Sequence, residues 1–530
     1  LLSLLPGTKQ DLKGIKERLK RKVPVSTGKG GKPVLIVCPS GFVDSWREHL
    51  EKWGYFESQD VRSSNGRGNK SMQSVEARLD AGSLEVVCIG YDLFTTNRDV
   101  IAKFKWLLVV FDEMHVLKNP KSQRSQAVES LVGAEVFVGL TGTLIQNELA
   151  EFWWLMNMIQ NGVLKTDSEF MEYFGRPILY GKRKGARKRE VELRSRRLQE
   201  LGFIRDKMVL RRTKEQVLGN LLMGKTGTVV FCKLAPVQKE IYRTILDLPE
   251  CRLLAVAADP CGCGRNENSG KCCGVWPRDD SSKDSVSERA VLWRKYHPKL
   301  ETCGPRPSCP YCCFLPIMQK LQKVANHPCL LQVETFAWEP SAVLREQGAR
   351  FAEVAFTEKA RLMMTPRDQD EEVGGGGGWG HGRGESGVDR RLLRSENFLQ
   401  LSRDDLCGKM KTLKVLLRRF RRPAQKVLLF SYSTATLDLL QVLMIKEGYT
   451  FLRLDGKTRM EERGALIKRY NERDAIDSFV FLISTKAGGT GLNLHSANKV
   501  ILYDVNWNPS QDTQAEDRAY RIGQTGRVEV

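Results

Sequence analysis

Short, wholly apolar runs closed by a polar or proline-containing turn recur along this chain. Val34–Cys38 ends at Pro39, and Glu85–Ile89, Trp106–Phe111 and Glu135–Leu140 have the same character. The pattern returns late, at Lys426–Phe430, Phe479–Ser484 and Lys499–Asp504. Runs without polar alternation predict strands covered on both faces, and each is followed by a stretch of helical character. Two such sets predict two α/β lobes with parallel sheets. Between them, from Glu148 to about Val333, the sequence reads as mainly helical. A second gap, roughly Pro366 to Arg391, contains Gly374–Gly378 and cannot bury a core, which predicts a disordered linker. The expected divisions are residues 1–147, a helical region 148–335, a linker 336–404, and residues 405–530.

At 530 residues the chain can form several cores, and its 41% hydrophobic content is that of a globular protein. No apolar run approaches the length of a membrane span, so no membrane partner is expected. The 84 basic and 63 acidic residues leave a net charge of +21, which favours a polyanion as partner. Leu1–Pro6 is too short for a signal peptide, and there is no initiator Met; the chain reads as cut from something longer. Of 14 cysteines, eight fall between Cys261 and Cys313. Without a secretory signal they point to thiols or a metal site rather than disulfides. Cys261, Cys263, Cys272, Cys273, Cys309 and Cys312 could supply thiolates to a structural Zn²⁺.

Asp112-Glu113-Met114-His115 follows one predicted strand directly, and ligands of α/β sheets gather at strand carboxyl ends. An Asp there can hold Mg²⁺ on a triphosphate, and the adjacent Glu can activate the attacking water. The next strand ends in Thr141-Gly142-Thr143. Further on stand Leu210–Lys214, Val324–Pro328, Gly408–Lys411, Leu454–Thr458, Ser484–Asn493, Asp504–Pro509 and Gln514–Gln524.

This ordered set resembles the Swi/Snf-type DNA translocases of helicase superfamily two, over nearly the whole chain outside the insert and linker. Asp259–Cys263 and Cys272-Cys273 are most similar to the excision-repair, Cockayne-syndrome-B-like branch, closest to its Hebo-type member. The resemblance implies two RecA-like lobes, ATP and Mg²⁺ as cofactors, and a nuclear enzyme that tracks along double-stranded DNA in repair or chromatin remodelling. Nucleosomes and repair proteins would be further partners. Asp112 would bind Mg²⁺ and Glu113 would be the base. His115, Gln514 and Gly491 would line the nucleotide; Thr141, Gly142 and Thr143 would couple its state to the DNA. Arg518 and Arg521 would be arginine fingers, which can raise a rate roughly a thousandfold or more. DNA contacts would come from Pro39, Ser40, Ser433, Thr434, Arg453, Lys457, Ser484, Thr485, Lys486, Asn493 and Trp507, through phosphates rather than bases.

The sequence also departs from the family. No Gly-x-Gly-Lys-Thr phosphate loop precedes the first strand. Ser26–Lys32 offers no Lys followed by Ser or Thr and reads as a basic surface loop. The chain is therefore expected to be an inactive fragment of an active ATPase. A non-catalytic DNA-binding scaffold and an RNA helicase are the alternatives. Met114 replaces a small residue and is expected to crowd the site, and Gly90 replaces a hydroxyl residue before Tyr91.

Overall fold

The computed structural model describes residues 32–53, 58–61, 68–131, 133–142, 148–183, 185–219, 222–257, 259, 289–296, 310–332, 342–364, 403–421, 425–472, 478–488, 492–507 and 509–530. The chain divides into two compact units, Leu1–Leu218 and Gly219–Val530.

The first unit is built on a five-stranded parallel sheet. Its strands are β1 (Val34–Cys38), β2 (Ser58–Val61), β3 (Val86–Gly90), β4 (Leu108–Asp112) and β5 (Val136–Leu140), in the order β2-β3-β1-β4-β5. The apolar runs form strands because neighbouring positions fill different cores. Leu35, Val37, Val109 and Phe111 point into one cluster, with Phe94, Trp106 and Leu155. Val34, Ile36, Cys38 and Val110 point into the other, with Val43 and Leu50. Every residue of β1 and β3 is buried, so a side-chain period of two leaves no face for water. β5 lies at the sheet edge and Val136 is 50% exposed. A separate small core, Phe152, Phe170, Phe174, Ile178 and Leu201, holds helices from Leu149 to Met208 in the same unit.

The second unit carries a six-stranded parallel sheet. It comprises β6 (Lys225–Thr226), β7 (Val427–Ser431), β8 (Phe451–Leu454), β9 (Val480–Ser484), β10 (Lys499–Leu502) and β11 (Val528–Glu529), in the order β6-β11-β10-β7-β9-β8. Beside it a helical core packs Ile241, Ile245, Trp293, Leu321 and Phe351. Gln238 is fully buried and joins the parts of this unit. Its Nε2 donates to the carbonyls of Val324 (2.7 Å) and Ala325 (3.2 Å), while its Oε1 accepts from the N–H groups of Ala235 (3.0 Å) and Gly408 (3.1 Å).

The helical region expected over 148–335 thus falls in both units. The linker expected over 336–404 needs correction. Ala342–Ala355 and Glu358–Met364 are helices, and Phe351, Ala355 and Phe356 are buried in the helical core. Their apolar spacing outweighs the glycine-rich composition further on; Gly374–Gly378 lies outside the described residues. β2 and β8, like the two-residue strands β6 and β11, lie outside the apolar runs of the sequence. β2 and β8 are edge strands, and edge positions need no continuous apolar run. No helix among the described residues is long and apolar enough to cross a membrane.

Candidate nucleotide and nucleic-acid sites

The carboxyl ends of the first sheet gather Pro39, Gly90, Asp112 and Leu140, because all five strands run parallel. Asp112 closes β4. Its Oδ2 accepts from the Trp46 indole N–H (2.9 Å), its Oδ1 from the Glu113 N–H (3.0 Å), and its carbonyl from the Tyr91 hydroxyl (2.8 Å). Burial raises the Asp112 pKa above the ordinary carboxylate value, against the lowering effect of the two hydrogen bonds to its carboxylate. Trp46 is a residue the sequence reading missed. It lies on the helix Val43–Trp53, where it looks like one more apolar position.

Glu113 has φ 51° and ψ 48°, the left-handed region that a residue with a Cβ enters at a cost. That turn leads the chain out of β4 and places the Glu113 carboxylate beside His115. The His115 Nδ1 lies 3.3 Å from Glu113 Oε2 and 3.3 Å from Thr141 Oγ1. Burial, assisted by Lys118, lowers the His115 pKa, so its ring is neutral near pH 7. One imidazole nitrogen therefore stands between the acidic end of β4 and the hydroxyl at the end of β5. The donor set of Asp112, Glu113 and Thr141 is hard oxygen, which fits Mg²⁺.

Two departures from the family pattern resolve physically. Met114 does not crowd the site: it is 2% exposed and turned into the core against Gly139. A Cβ at Gly90 would lie 3.3 Å from the Ser40 Cβ, so glycine there lets the turn after β1 approach β3. Most of the basic stretch Ser26–Lys32 lies outside the described residues, but Lys32 pairs with Glu135. Those two residues precede β1 and β5, at the amino ends of the strands and so at the end of the sheet opposite Asp112.

In the second unit, Ser433 caps the helix Thr434–Lys446, its Oγ accepting from the Thr436 N–H (3.3 Å), and Thr434 is exposed. Lys457, Lys486, Asn493 and Trp507 are exposed, as are Ser40 and Gly142 in the first unit, with Pro39 half-buried. Arg453 is not available to a duplex. It is 4% exposed, and its guanidinium is held by Asp438 (2.7 Å), Asp455 (2.8 Å) and Gln441 (2.9 Å). Ser484 and Thr485 are likewise buried, closing β9 from within. Thr143 and Gly491 lie outside the described residues.

Gln514 lies on the helix Pro509–Glu516, and Arg518 and Arg521 on the turns after it. Arg518 is 5% exposed; Arg521 is half-buried and its Nε donates to the Asp517 carbonyl (3.2 Å). Gln524 anchors the segment, its Nε2 donating to the carbonyls of Ala497 (2.7 Å) and Ala519 (3.2 Å). Asp504 ends in a buried polar network. Its carboxylate accepts from Ser431 (2.7 Å), Asn326 (3.1 Å) and the Tyr432 N–H (2.9 Å), and Lys409 donates to Asn326 Oδ1 (2.8 Å). Burial pushes the Asp504 pKa up to about 6. Three motifs spread from residue 324 to 509, with the turn after β7, thus meet at the ends of β7 and β10.

Among the proposed zinc ligands only Cys312 is described, as an exposed cysteine outside any disulfide; the other five lie outside the described residues. Among the described residues no cluster could hold a metal through three His, Cys, Asp or Glu side chains.

Comparison with known proteins agrees with this geometry. The SNF2-related domain matches residues 4–262, and the helicase conserved C-terminal domain matches residues 408–523. Switch 2 of Arabidopsis thaliana is 34% identical over 499 residues, 94% of this chain and 52% of that protein. The DNA excision repair protein ERCC-6-like 2 of Mus musculus is 32% identical over 529 residues, 99% of this chain and 30% of that protein. The DNA repair and recombination protein RAD54B of Homo sapiens is 30% identical over 507 residues, 94% of this chain and 46% of that protein. The chain spans about half the length, or less, of these relatives. With the two domain matches together spanning more than half of it, the chain belongs to the Snf2-type family of helicase superfamily two.

Proposed function

We propose that the protein is a DNA-dependent ATPase that translocates on double-stranded DNA, acting in the nucleus in DNA repair or chromatin remodelling, in the excision-repair branch closest to its Hebo-type member. The observation that carries this reading is the Asp112-Glu113-His115-Thr141 cluster at the carboxyl ends of β4 and β5. Asp112, oriented by Trp46, would hold Mg²⁺ on ATP, which supplies the phosphoanhydride to be hydrolysed. Glu113 would take the proton of the attacking water. His115 Nδ1, 3.3 Å from both the Glu113 carboxylate and the Thr141 hydroxyl, would carry a shift at one strand end to the next. Gly142 and Thr143 would carry that shift to DNA, and Gln514 and Gly491 would line the nucleotide.

Arg518 and Arg521 would stabilise charge on the transferred phosphoryl group. Exposed Ser40, Thr434, Lys457, Lys486, Asn493 and Trp507, with half-buried Pro39 and Ser433, would meet the phosphodiester backbone. The net charge of +21 supports a polyanionic track. Nucleosomes and repair proteins would be partners, and the insert 259–313 would take Zn²⁺ through its thiolates.

The test is ATP hydrolysis with no nucleic acid, duplex DNA or RNA. It is run on this chain, on a form carrying a phosphate loop ahead of β1, and on Glu113→Gln. Hydrolysis stimulated by duplex DNA and abolished by Glu113→Gln supports the translocase. Stimulation by RNA alone makes it an RNA helicase. DNA binding without hydrolysis in any form makes it a scaffold.

A further inference from the structure

The sequence motifs account for the two arginines after Glu516 but not for what holds them. β6 consists of only Lys225 and Thr226, close behind the unit boundary, and pairs in parallel with β11 at the very end of the described chain. The pairing is reinforced on both sides. The Val528 N–H donates to the Gly224 carbonyl (3.1 Å), the Val530 N–H to the Thr226 carbonyl (2.8 Å), and the Thr228 N–H to the Val530 carbonyl (2.8 Å). Gly224 has φ +88°, a turn that suits glycine and sets the strand's direction.

This places the Lys225 side chain on the arginine segment. Its Nζ lies 3.0 Å from Glu516 Oε2 and 3.4 Å from Asp517 Oδ1, and 5.9 Å from the centre of the buried Tyr520 ring. The three partners flank Arg518 on both sides. Partial burial works against the ammonium charge, but the Glu516 and Asp517 carboxylates outweigh it, and the Lys225 pKa stands above the ordinary lysine value. From the other side the segment is held by the Arg518 carbonyl, which accepts from the Leu494 N–H (3.2 Å), and by Gln524.

We propose that Lys225 is a positioning residue for the Arg518–Arg521 segment: it ties the stretch of chain that enters the second unit to the carboxylates flanking those arginines. Two adjacent carboxylates beside an arginine compete for its guanidinium. With Lys225 meeting them, those carboxylates draw less on the guanidinium groups of Arg518 and Arg521, which hold their place in the segment. The catalytic consequence rests on the ATPase reading; the clamp itself does not.

The experiment compares Lys225→Met and Lys225→Arg with the unaltered chain by amide hydrogen exchange and thermal unfolding. Lys225→Met is expected to speed exchange of the 516–524 amides about tenfold, with β7 and β9 unchanged, and Lys225→Arg to restore most of the protection. In whichever form hydrolyses ATP with duplex DNA, Lys225→Met is expected to lower kcat about tenfold with KM for ATP within about twofold, again rescued by Arg. Unchanged exchange over 516–524 in Lys225→Met overturns the clamp. Faster exchange with unchanged kcat overturns its positioning role. If no form hydrolyses ATP, the translocase reading fails, while exchange still decides whether Lys225 holds the segment. If Lys225→Met unfolds the chain, Lys225→Arg and Lys225→Gln decide: equal exchange over 516–524 in both also overturns the clamp.

Discussion

The Met114 side chain covers Gly139: a Cβ built on Gly139 would overlap the Met114 sulfur and come within 3.3 Å of its Cγ and of Ile159 Cδ1. The first residue follows the acidic pair of β4, and the second lies on the neighbouring strand β5. The larger residue at 114 is accommodated because the smallest one faces it. Gly139→Ala is therefore expected to cost about 1–3 kcal/mol by overpacking. Met114→Ala in the same chain should return part of that loss, since the methyl then enters the space the thioether left. A double-mutant cycle in denaturant reads the coupling, and simple additivity of the two changes would refute the pairing.

Glu113 combines a strained backbone with the chemistry assigned to it. Glu113→Gly removes the left-handed penalty and is expected to raise stability by about 0.5–1 kcal/mol while eliminating hydrolysis. Glu113→Gln keeps the strain and should leave stability unchanged, with activity down about 10²–10⁴-fold. Equilibrium unfolding of both variants beside the ATPase assay checks this; a Glu113→Gly chain less stable than the original would remove the strain argument.

Glu250 sets a pH dependence of stability. It is 1% exposed, accepts from the Leu292 N–H (3.2 Å), and burial pushes its pKa from 4.5 to about 7. Between those values the unfolded chain ionises and the folded chain does not, so stability is fully present below about pH 4.5 and falls as pH rises to 7. The loss is about 3 kcal/mol. Asp504, raised from 3.8 to about 6, acts in the same direction, whereas buried His327, lowered from 6.5 to about 4, makes stability rise with pH. These two oppose each other between pH 4 and 6, leaving Glu250 as the larger influence near pH 6–7. Glu250→Gln should flatten that limb, seen as a smaller drop in unfolding midpoint from pH 5.5 to 7.5. An unaltered slope would show that the carboxyl is already ionised in the fold.

Arg453 and Lys457 separate burial from nucleic-acid contact within five residues. Arg453→Met removes the guanidinium from the buried Asp455 and the half-buried Asp438 and is expected to cost about 3–5 kcal/mol. Lys457→Ala should cost little stability and lower the salt dependence of duplex binding by about one phosphate contact. Titrations at several salt concentrations distinguish them. A reduced salt slope in a folded Arg453→Met chain would return Arg453 to the DNA surface.

The sequence by itself determined the seven principal strands, because a strand buried on both faces needs an unbroken apolar run such as Leu108–Phe111, and that signal is local. It also determined that Asp112, Thr141, Ser431 and Asp504 stand at strand ends, since each directly follows such a run. Only the tertiary structure decided which side chains meet there. Trp46 on Asp112, Gln238 between Val324 and Gly408, and Lys225 on Glu516 join residues from 66 to 291 positions apart, and no periodicity records a pairing over that distance. The same holds for Arg453: its charge suggested a phosphate, but three partners from its own unit take that charge into the core. The helices at Ala342–Ala355 and Glu358–Met364 exist because Phe351 and Phe356 find a core supplied by residues more than fifty positions away, among them Ile241 and Trp293.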